Sequence, residues 1–310
     1  MPASFPTNRS HAVVIGCSFA GLLAARILSD HFERVTIFER DPVHDYPEAR
    51  RGQAQTRHLH GLLAQGFRLL NRLFPHLEST LVQGGAVVSD MGESIRWYHH
   101  NGYKLQFPSG LSGVSMSRVF LEWEIRKAVL DLPNVTLRAS CTVSRLVTTP
   151  DRSRVVGVEL ASEEHQGPTP IIQADFVVNT GGRGSATGKW LEGLGYSRPR
   201  EEEITVGVGY ATRIYRRRPD DLIGANLVMT SPTPPYQNIW RSCFLWSRTV
   251  GSCRREVGWE IIRPPMIPAT GSFSGTCPLL MCSMSFSARS RSRTCTRTSS
   301  TRVFVGGTNG

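Results

Sequence analysis

The residues best suited to chemistry form a glycine-rich turn near the start of the chain. Gly16, Ser18 and Gly21 follow the apolar run His11–Ile15 and open a segment with helical spacing of apolar residues. One glycine permits a sharp turn out of a strand, and another lets the following helix lie close to that strand. The N-terminus of such a helix offers backbone N–H groups and a partial positive charge. This pattern favours the binding of a phosphate group.

An acid completes the pattern at the end of the next apolar run. Glu39 lies 18 residues after Gly21 and directly follows Val35–Phe38. A carboxylate at this place can accept hydrogen bonds from ribose hydroxyls. Strand, glycine turn, helix, strand and acid together predict a βαβ unit that binds the ADP half of a dinucleotide. The alternative is an α/β turn of the same shape that binds no nucleotide.

Ser18 departs from the usual G-x-G-x-x-G spacing, in which the second glycine lets the backbone approach the phosphates. A serine adds a small side chain at that position. Its hydroxyl, however, can also donate a hydrogen bond.

Length and composition are those of an ordinary globular protein. The 310 residues are 40% hydrophobic and 20% charged, which suffices for one large or two small domains. No run of 18 apolar residues occurs, so the sequence predicts no transmembrane helix. Because the first residues lack the basic and apolar regions of a signal peptide, we expect a cytoplasmic location.

The net charge of +11 is concentrated in the last quarter of the chain. After Asn238, ten arginines stand against two acids, and the earlier part is close to neutral. This distribution argues against a specific nucleic-acid-binding domain. Five of the seven cysteines lie in the same stretch, without the C-x-x-C spacing of a zinc site or a disulfide scaffold.

From about Asn238 the sequence changes character, and residues 283–300 lack the hydrophobic period of a strand or a helix. One interpretation is a disordered basic tail of low complexity, able to contact RNA or a membrane surface. The other is a shift of the reading frame after about residue 237. We favour the shift, because back-translation into one alternative frame turns three separate stretches into ordinary globular sequence.

A basic segment, Arg50–Gly61, precedes the apolar-periodic helix expected over Leu62–Leu73. Such a loop could neutralise a pyrophosphate or an anionic reduced cofactor. The alternative is a solvated loop. His58 and His60 fall on opposite faces of an extended segment, which is a poor arrangement for a metal ion.

The middle of the chain predicts a β-sheet inserted into the α/β domain. Apolar and polar residues alternate, as in strands, over three segments: Gly84–Asp90, Ser94–Tyr98 and Tyr103–Phe107. Ser117 can then cap a helix that begins with Arg118, which is either a nucleotide contact or a surface arginine. The apolar face of that helix is formed by Val119, Leu121, Ile125, Val129 and Leu130.

A second glycine turn, Asn179–Ser185, follows the apolar run Ile171–Val178. A buried strand that ends in such a turn would place a second backbone surface beside the first nucleotide site.

In order along the chain, four motifs resemble those of the FAD-dependent monooxygenases with the p-hydroxybenzoate-hydroxylase fold. They are Gly16–Gly21, Glu39–Asp41, Met116–Arg118 and Asp175–Ser185. The loop Arg51–His60 and the segment Val208–Tyr215 narrow the resemblance to the branch with the polyether-antibiotic epoxidases, which is related to squalene epoxidase. The resemblance covers about residues 10–237.

The resemblance implies an α/β fold, with a FAD-binding Rossmann-like βαβ domain and an inserted, mainly-β substrate domain. The expected domains are 10–80 with 112–200 for FAD, 81–111 with 201–237 for a partial substrate-binding sheet, and 238–310 for the atypical tail. The implied cofactor-binding residues are Gly16, Ser18, Gly21, Glu39, Arg40, Arg51, His58, Arg118, Val143, Gly182 and Arg183, and the implied substrate-binding residues are Tyr210 and Arg213.

Each implied residue has a place relative to FAD. The first glycine turn would hold the pyrophosphate, and Glu39, with Arg40 beside it, the adenosine ribose. Arg118 would contact the flavin nucleotide and Val143 would lie near the adenine. The loop with Arg51 and His58 would approach the flavin. The resemblance implies no catalytic acid or base and no metal ligand.

Two departures from the family pattern stand out. Asn179 and Gly181 replace the acid and the threonine of the usual D-x-T-G-R-G-S turn. The later Gly-Asp motif that closes the FAD site in the family does not occur in the 310 residues.

The resemblance implies transfer of one oxygen atom from O2 to a small hydrophobic alkene or aromatic substrate through a flavin C4a-hydroperoxide. Electrons would come from NAD(P)H or a flavin reductase. One alternative is a FAD-dependent reductase of isoprenoid double bonds, which needs no oxygen. Another is an inactive, truncated flavin-fold protein or a binding module with a basic tail.

Overall fold

A computed structural model gives the structure of the chain. It describes residues 9–57, 60–161, 169–202, 209–216, 222, 224–233, 240–247 and 256–263. The chain divides into two compact units, 1–51 with 68–81 and 119–201, and 52–67 with 82–118 and 202–310.

Within the described ranges, the chain forms strands and α-helices that are numbered here in chain order. The strands are β1 (His11–Ile15), β2 (Arg34–Phe38), β3 (His60–Leu62), β4 (Val87–Asp90), β5 (Ile95–His99), β6 (Gly102–Tyr103), β7 (Ser112–Met116), β8 (Val135–Arg138), β9 (Val143–Thr148), β10 (Val155–Leu160), β11 (Ile171–Gln173), β12 (Phe176–Asn179), β13 (Gly209–Arg216), β14 (Leu227–Thr230), β15 (Trp240–Ser247) and β16 (Glu256–Arg263). The helices are α1 (Phe19–Ser29), α2 (Ala64–Leu73), α3 (Leu77–Gln83), α4 (Arg118–Leu130) and α5 (Thr187–Gly193).

The first unit is built on a four-stranded parallel sheet with the order β12-β1-β2-β8. Val13 and Val14 in its central strand are fully buried, as the β-branched run predicts for a parallel strand covered on both faces. A three-stranded antiparallel sheet, β11-β10-β9, packs its apolar side chains against this core. The shared cluster contains Val13, Phe38, Val143, Val158, Leu160 and Ala174.

This arrangement confirms the predicted α/β fold and its βαβ unit, because β1, α1 and β2 follow one another with β1 and β2 parallel. The expected strand Ile171–Val178 is divided between β11 and β12, which join different sheets. The helix expected from Leu62 begins instead at Ala64, because Leu62 pairs in β3 with Val114 of β7.

The second unit contains a six-stranded sheet with the order β13-β16-β15-β14-β5-β6 and a three-stranded sheet with the order β3-β7-β4. β7 pairs with both β3 and β4, and residues 52–67 and 112–118 lie in this unit. In the stretch expected to be an atypical tail, β15 and β16 pair with each other over eight-residue strands. Both strands belong to the six-stranded sheet.

Of the expected strand Tyr103–Phe107, only Tyr103 lies in a strand. The residues after it form a loop whose backbone is held by Asp90. The Asp90 carboxylate accepts hydrogen bonds from the backbone N–H groups of Gly92, Glu93, Ser109 and Gly110, and from the Ser109 hydroxyl. Partial burial raises the pKa of Asp90, but these hydrogen bonds outweigh it and hold that pKa well below the ordinary value.

None of the helices in the described part of the chain is long and apolar enough to cross a membrane.

We expect Asp90→Ala to lower the urea midpoint of unfolding at pH 7, because four backbone N–H groups lose their acceptor. A carboxyl whose pKa is depressed in the folded state stabilises the fold above its unfolded pKa, which for Asp90 is near 3.8. The difference between wild type and Asp90→Ala should therefore shrink as the pH falls below about 4. Urea titrations of both proteins at pH 7, 4 and 3 measure this difference in the unfolding midpoint.

Glu93→Ala is the matched control, because the Glu93 side chain is exposed while its backbone N–H still reaches Asp90. Its urea midpoint should match that of wild type. A constant difference between wild type and Asp90→Ala down to pH 3 would contradict the assigned role of the carboxylate.

Candidate functional site

The first glycine turn has the backbone conformation that its residue types predict. Gly16 has a φ of +100°, in the left-handed region that favours glycine. Its N–H donates to the carbonyl oxygen of Phe38 at 2.8 Å, which fixes the turn against the end of β2. Helix α1 begins three residues later, at Phe19.

Gly21 lies where α1 passes closest to this turn. A Cβ atom added to Gly21 would come within 1.9 Å of the Gly16 carbonyl oxygen and 2.9 Å of the Thr180 Oγ1. No side chain fits at that distance, so helix and turn can approach each other only through glycine. The N-terminus of α1 is thus held directly at the end of β1, as a dinucleotide-binding unit requires.

The second glycine turn meets the first one. Thr180 donates from its backbone N–H to the Ile15 carbonyl at 2.8 Å and from its hydroxyl to the same oxygen at 2.7 Å. Asn179 donates from Nδ2 to Ser185 Oγ and Thr187 Oγ1, and its Oδ1 accepts the N–H of Gly181. The amide thus organises the turn by donating and accepting at once, which a carboxylate could not do.

Glu39 is buried at the end of β2, with its side chain 11% exposed. One carboxylate oxygen accepts the backbone N–H of Cys17 at 2.8 Å, and the other accepts that of Asp41 at 3.1 Å. These bonds fix the carboxylate beside the glycine turn. An oxygen atom of a carboxylate can accept more than one hydrogen bond, so Glu39 keeps capacity for a ribose hydroxyl.

Arg50 is the main counter-ion of this carboxylate. Its side chain is 7% exposed and lies between two acids, with Nη1 at 3.2 Å from Glu39 and Nη2 at 3.0 Å from Glu122. It also donates to the carbonyl oxygen of Cys17. Burial lowers the pKa of Arg50, but the carboxylates of Glu122 and Glu39 outweigh it and raise that pKa above its ordinary value.

The Nε of Arg50 is buried, and no described residue accepts a hydrogen bond from it. A buried guanidinium N–H that the described residues leave unsatisfied is a donor available to an anionic ligand.

Cys17 lies inside the turn and is fully buried. Burial raises the pKa of its thiol to about 12, against a smaller lowering by Arg50. The thiol therefore stays protonated at neutral pH and serves as a small apolar group, not as a nucleophile.

Helix α4 supplies polar side chains to the same region of the first unit. Glu122, which is 4% exposed, accepts the Ser18 hydroxyl at 2.9 Å and binds Arg50. One turn further on, Arg126 donates to the carbonyl oxygen of His44 at 2.6 Å. These contacts tie the loop that follows β2 to the helix.

The arrangement fits the ADP half of FAD. Gly16 and Gly21 bring the N-terminus of α1 to the end of β1, where backbone N–H groups and the helix dipole favour a pyrophosphate. Glu39 lies at the neighbouring strand end, where a ribose would be bound, and Arg50 carries an unsatisfied buried donor beside it.

The other predicted residues of the first unit lie in different surroundings. Arg40 is exposed, with Nε 3.6 Å from the carboxylate of Asp41. Arg51 is exposed, in contrast to its buried neighbour Arg50. Val143 opens β9 and belongs to the apolar cluster with Phe38. Gly182 has a φ of +67° and starts a short 3-10 turn that includes the backbone of Arg183.

The remaining predictions concern the second unit. Arg118 is the first residue of α4, as expected. Tyr210 and Arg213 both lie in β13, three positions apart. His58 lies outside the described residues. No group of acids, histidines and cysteines in the described part of the chain could hold a metal ion.

Sequence reasoning included Arg50 in the basic segment Arg50–Gly61 without singling it out, and it missed Cys17 and Glu122. Arg50 stands beside Arg51 in an arginine pair, and nothing in residue type separates the buried member from the exposed one. Glu122 precedes two further buried charges, Glu124 and Arg126, on a helix expected to be apolar on one face. Charged residues at the expected buried positions of a helix indicate polar partners, but the sequence does not show which residues those partners are.

No known protein-family profile matches the chain. The chain is 38% identical to Protein Rv3254 of Mycobacterium tuberculosis (strain ATCC 25618 / H37Rv) over 232 residues, which are 71% of this chain and 48% of that protein. It therefore spans about half the length of this curated relative.

Several solved structures have the same fold. PqsL of Pseudomonas aeruginosa, described as a probable FAD-dependent monooxygenase, superposes with a TM-score of 0.60 at 13% identity, over 82% of this chain and 61% of PqsL. The p-nitrophenol 4-monooxygenase PnpA of Pseudomonas putida DLL-E4 superposes with a TM-score of 0.55 at 17% identity, over 84% of this chain and 60% of PnpA. The 2-methyl-3-hydroxypyridine-5-carboxylic acid oxygenase superposes with a TM-score of 0.55 at 17% identity, over 85% of this chain and 61% of the oxygenase. The chain thus has the α/β fold of FAD-binding monooxygenases.

We expect Gly21→Ala to destabilise the fold by about 3 kcal/mol or more, because its Cβ would displace the Gly16 carbonyl. Gly193→Ala is the matched control, since it also lies in a helix but has open space around the added Cβ. That variant should be as stable as wild type or up to about 1 kcal/mol more stable. Urea unfolding of both variants checks the prediction, and equal stability would contradict the close packing.

We expect Arg50→Met to lower the free energy of unfolding by about 3–5 kcal/mol, because two buried carboxylates lose their shared counter-ion. Arg51→Met is the matched control, and its exposed side chain predicts a change within about 0.5 kcal/mol. Urea unfolding of the flavin-free proteins measures both. If the two variants behaved alike, the buried ion pairs of Arg50 would be refuted.

Proposed function

We propose that this chain binds FAD and acts in an oxidoreductase of the FAD-dependent monooxygenase class. The observation that carries the proposal is the closed contact between Gly21 and the Gly16 carbonyl, with the buried Glu39 carboxylate at its edge. That constellation is what an ADP moiety needs. The shared fold with FAD-binding monooxygenases supports FAD over other dinucleotides.

Different residues of the chain would bind different parts of FAD. The N-terminus of α1 and the glycine turn would hold the pyrophosphate, and Glu39 would accept the adenosine ribose hydroxyls. Arg50 would offset negative charge at the phosphates and orient the Glu39 carboxylate through its ion pair. Arg118, at the start of α4, would contact the flavin nucleotide.

FAD, when bound, supplies the chemistry by which one atom of O2 is transferred to a substrate. The protein has to bind and orient the substrate and keep water out. The finer proposal is an epoxidase or hydroxylase acting on a small hydrophobic alkene or arene. Tyr210 and Arg213 are proposed to flank that substrate, and the electrons are proposed to come from NAD(P)H or a flavin reductase.

We expect the purified full chain to bind FAD in a ratio of about one to one, measured by flavin absorbance and by chromatography of the released cofactor. Glu39→Gln should weaken FAD binding about tenfold, because the ribose hydroxyls lose a charged acceptor. Glu33→Ala, at an exposed acid just before β2, should bind FAD like wild type.

The activity test uses the FAD-loaded protein with NADPH and a flavin reductase. Oxygen uptake that depends on an added terpenoid alkene or phenol, with one oxygen atom recovered in the product, would support a monooxygenase. Turnover without oxygen would instead favour the reductase of isoprenoid double bonds. A protein that binds no FAD would refute the proposed function.

A further inference from the structure

Ser18 stands at the N-cap position of α1 but does not cap the helix with its side chain. Its backbone is extended, with φ −102° and ψ −171°, and its hydroxyl makes no capping hydrogen bond. The hydroxyl donates instead to the Oε2 of Glu122, 104 residues away in the sequence, at 2.9 Å. A serine at an N-cap normally uses its oxygen to accept the N–H of the second or third helical residue.

In α1 those two residues are Ala20 and Gly21. Their N–H groups are among the donors that a helix N-terminus presents to a bound phosphate. A serine hydroxyl that capped the helix would occupy one of them. The capping residue and the pyrophosphate would therefore compete for the same backbone donor.

Glu122 is well placed to prevent this competition. Its side chain is 5% exposed, and its Oε1 is fixed by the Nη2 of Arg50 at 3.0 Å. The other carboxylate oxygen then accepts the Ser18 hydroxyl, and this charge-assisted hydrogen bond favours the side-chain rotamer in which the Ser18 Oγ points to Glu122 and not to the N–H groups of α1. The ion pair with Arg50 thus holds the acceptor where the hydroxyl can reach it.

We propose that Glu122 is a positioning residue of the nucleotide site, which draws the Ser18 hydroxyl away from the end of α1 and so keeps the helix N–H groups available for the pyrophosphate. The inference rests on the proposed function, because it requires that α1 binds a dinucleotide. It also explains how a serine is accepted where the fingerprint has its second glycine. The serine and its partner on α4 together replace the missing glycine.

The test is ADP binding, measured by calorimetry on the full chain stripped of flavin, with FAD binding measured in parallel by fluorescence quenching. ADP is the probe because it contains the pyrophosphate and lacks the flavin ring. We expect E122A to weaken ADP binding about tenfold, since the released hydroxyl turns to cap α1. S18G in the wild-type background gives the reference ADP affinity of a site that has no hydroxyl at this position.

The decisive variant is the double substitution S18G/E122A. With no hydroxyl left to cap α1, it should recover ADP affinity to within threefold of wild type, although Arg50 has still lost one partner. A purely structural role of Glu122 would leave the double variant as weak as E122A. Glu122→Met, which fills the volume but offers no oxygen, should behave like E122A and be rescued in the same way.

E124Q is the matched control, because Glu124 is equally buried on α4 but pairs with Lys127 at 2.8 Å instead of with the turn. It should bind ADP within twofold of wild type. Wild-type affinity in E122A, or failure of S18G to rescue it, would overturn the inference while leaving FAD binding by wild type intact. A wild-type chain that binds neither ADP nor FAD would overturn the proposed function and this inference together.

Discussion

The buried guanidinium of Arg50, shared by two carboxylates, is the interaction on which the candidate site depends. Glu39 comes from the end of β2 and Glu122 from the middle of α4, and Arg50 follows the loop that connects β2 to the rest of the chain. Two buried carboxylates without a cation would cost several kcal/mol in desolvation. The Arg50 cation therefore stabilises the contact of three segments of the first unit at the glycine turn, namely the end of β2, the loop with Arg50 and helix α4.

The polar side of α4 follows from the same requirement. A helix that only filled the core would bury Leu121, Ile125 and Val129 and expose the residues between them. In this helix, Glu122 and Arg126 are buried as well, because Glu122 binds Ser18 of the glycine turn and Arg126 binds the backbone of the loop that follows β2. The helix is thus an organiser of the binding region in addition to a core element, and its sequence cannot be read from apolar spacing alone.

The sequence predicts those parts of the fold that depend on local backbone geometry. Gly16, Gly21 and Glu39 have the predicted positions because the turn, the helix approach and the strand end each demand one residue type. Arg40 and Arg51 are exposed, whereas Arg50 is buried between Glu39 and Glu122. Which of two adjacent arginines is buried depends on partners distant in sequence, and no local pattern encodes that. The strands β15 and β16 lie in the stretch expected to be an atypical tail, and they pair with each other, which is a contact that no local pattern encodes.

The charge around the glycine turn bears on how a phosphate would be attracted there. Glu39 and Glu122 together outnumber Arg50, so these three side chains sum to a negative charge and cannot draw in an anion by themselves. Further attraction would come from the N-terminus of α1 and from arginines outside this trio, among them Arg126 further along α4. Helix N–H groups act only at short range and only when no other acceptor occupies them. If α1 binds a phosphate as proposed, a serine hydroxyl that occupied one of these N–H groups would weaken that binding.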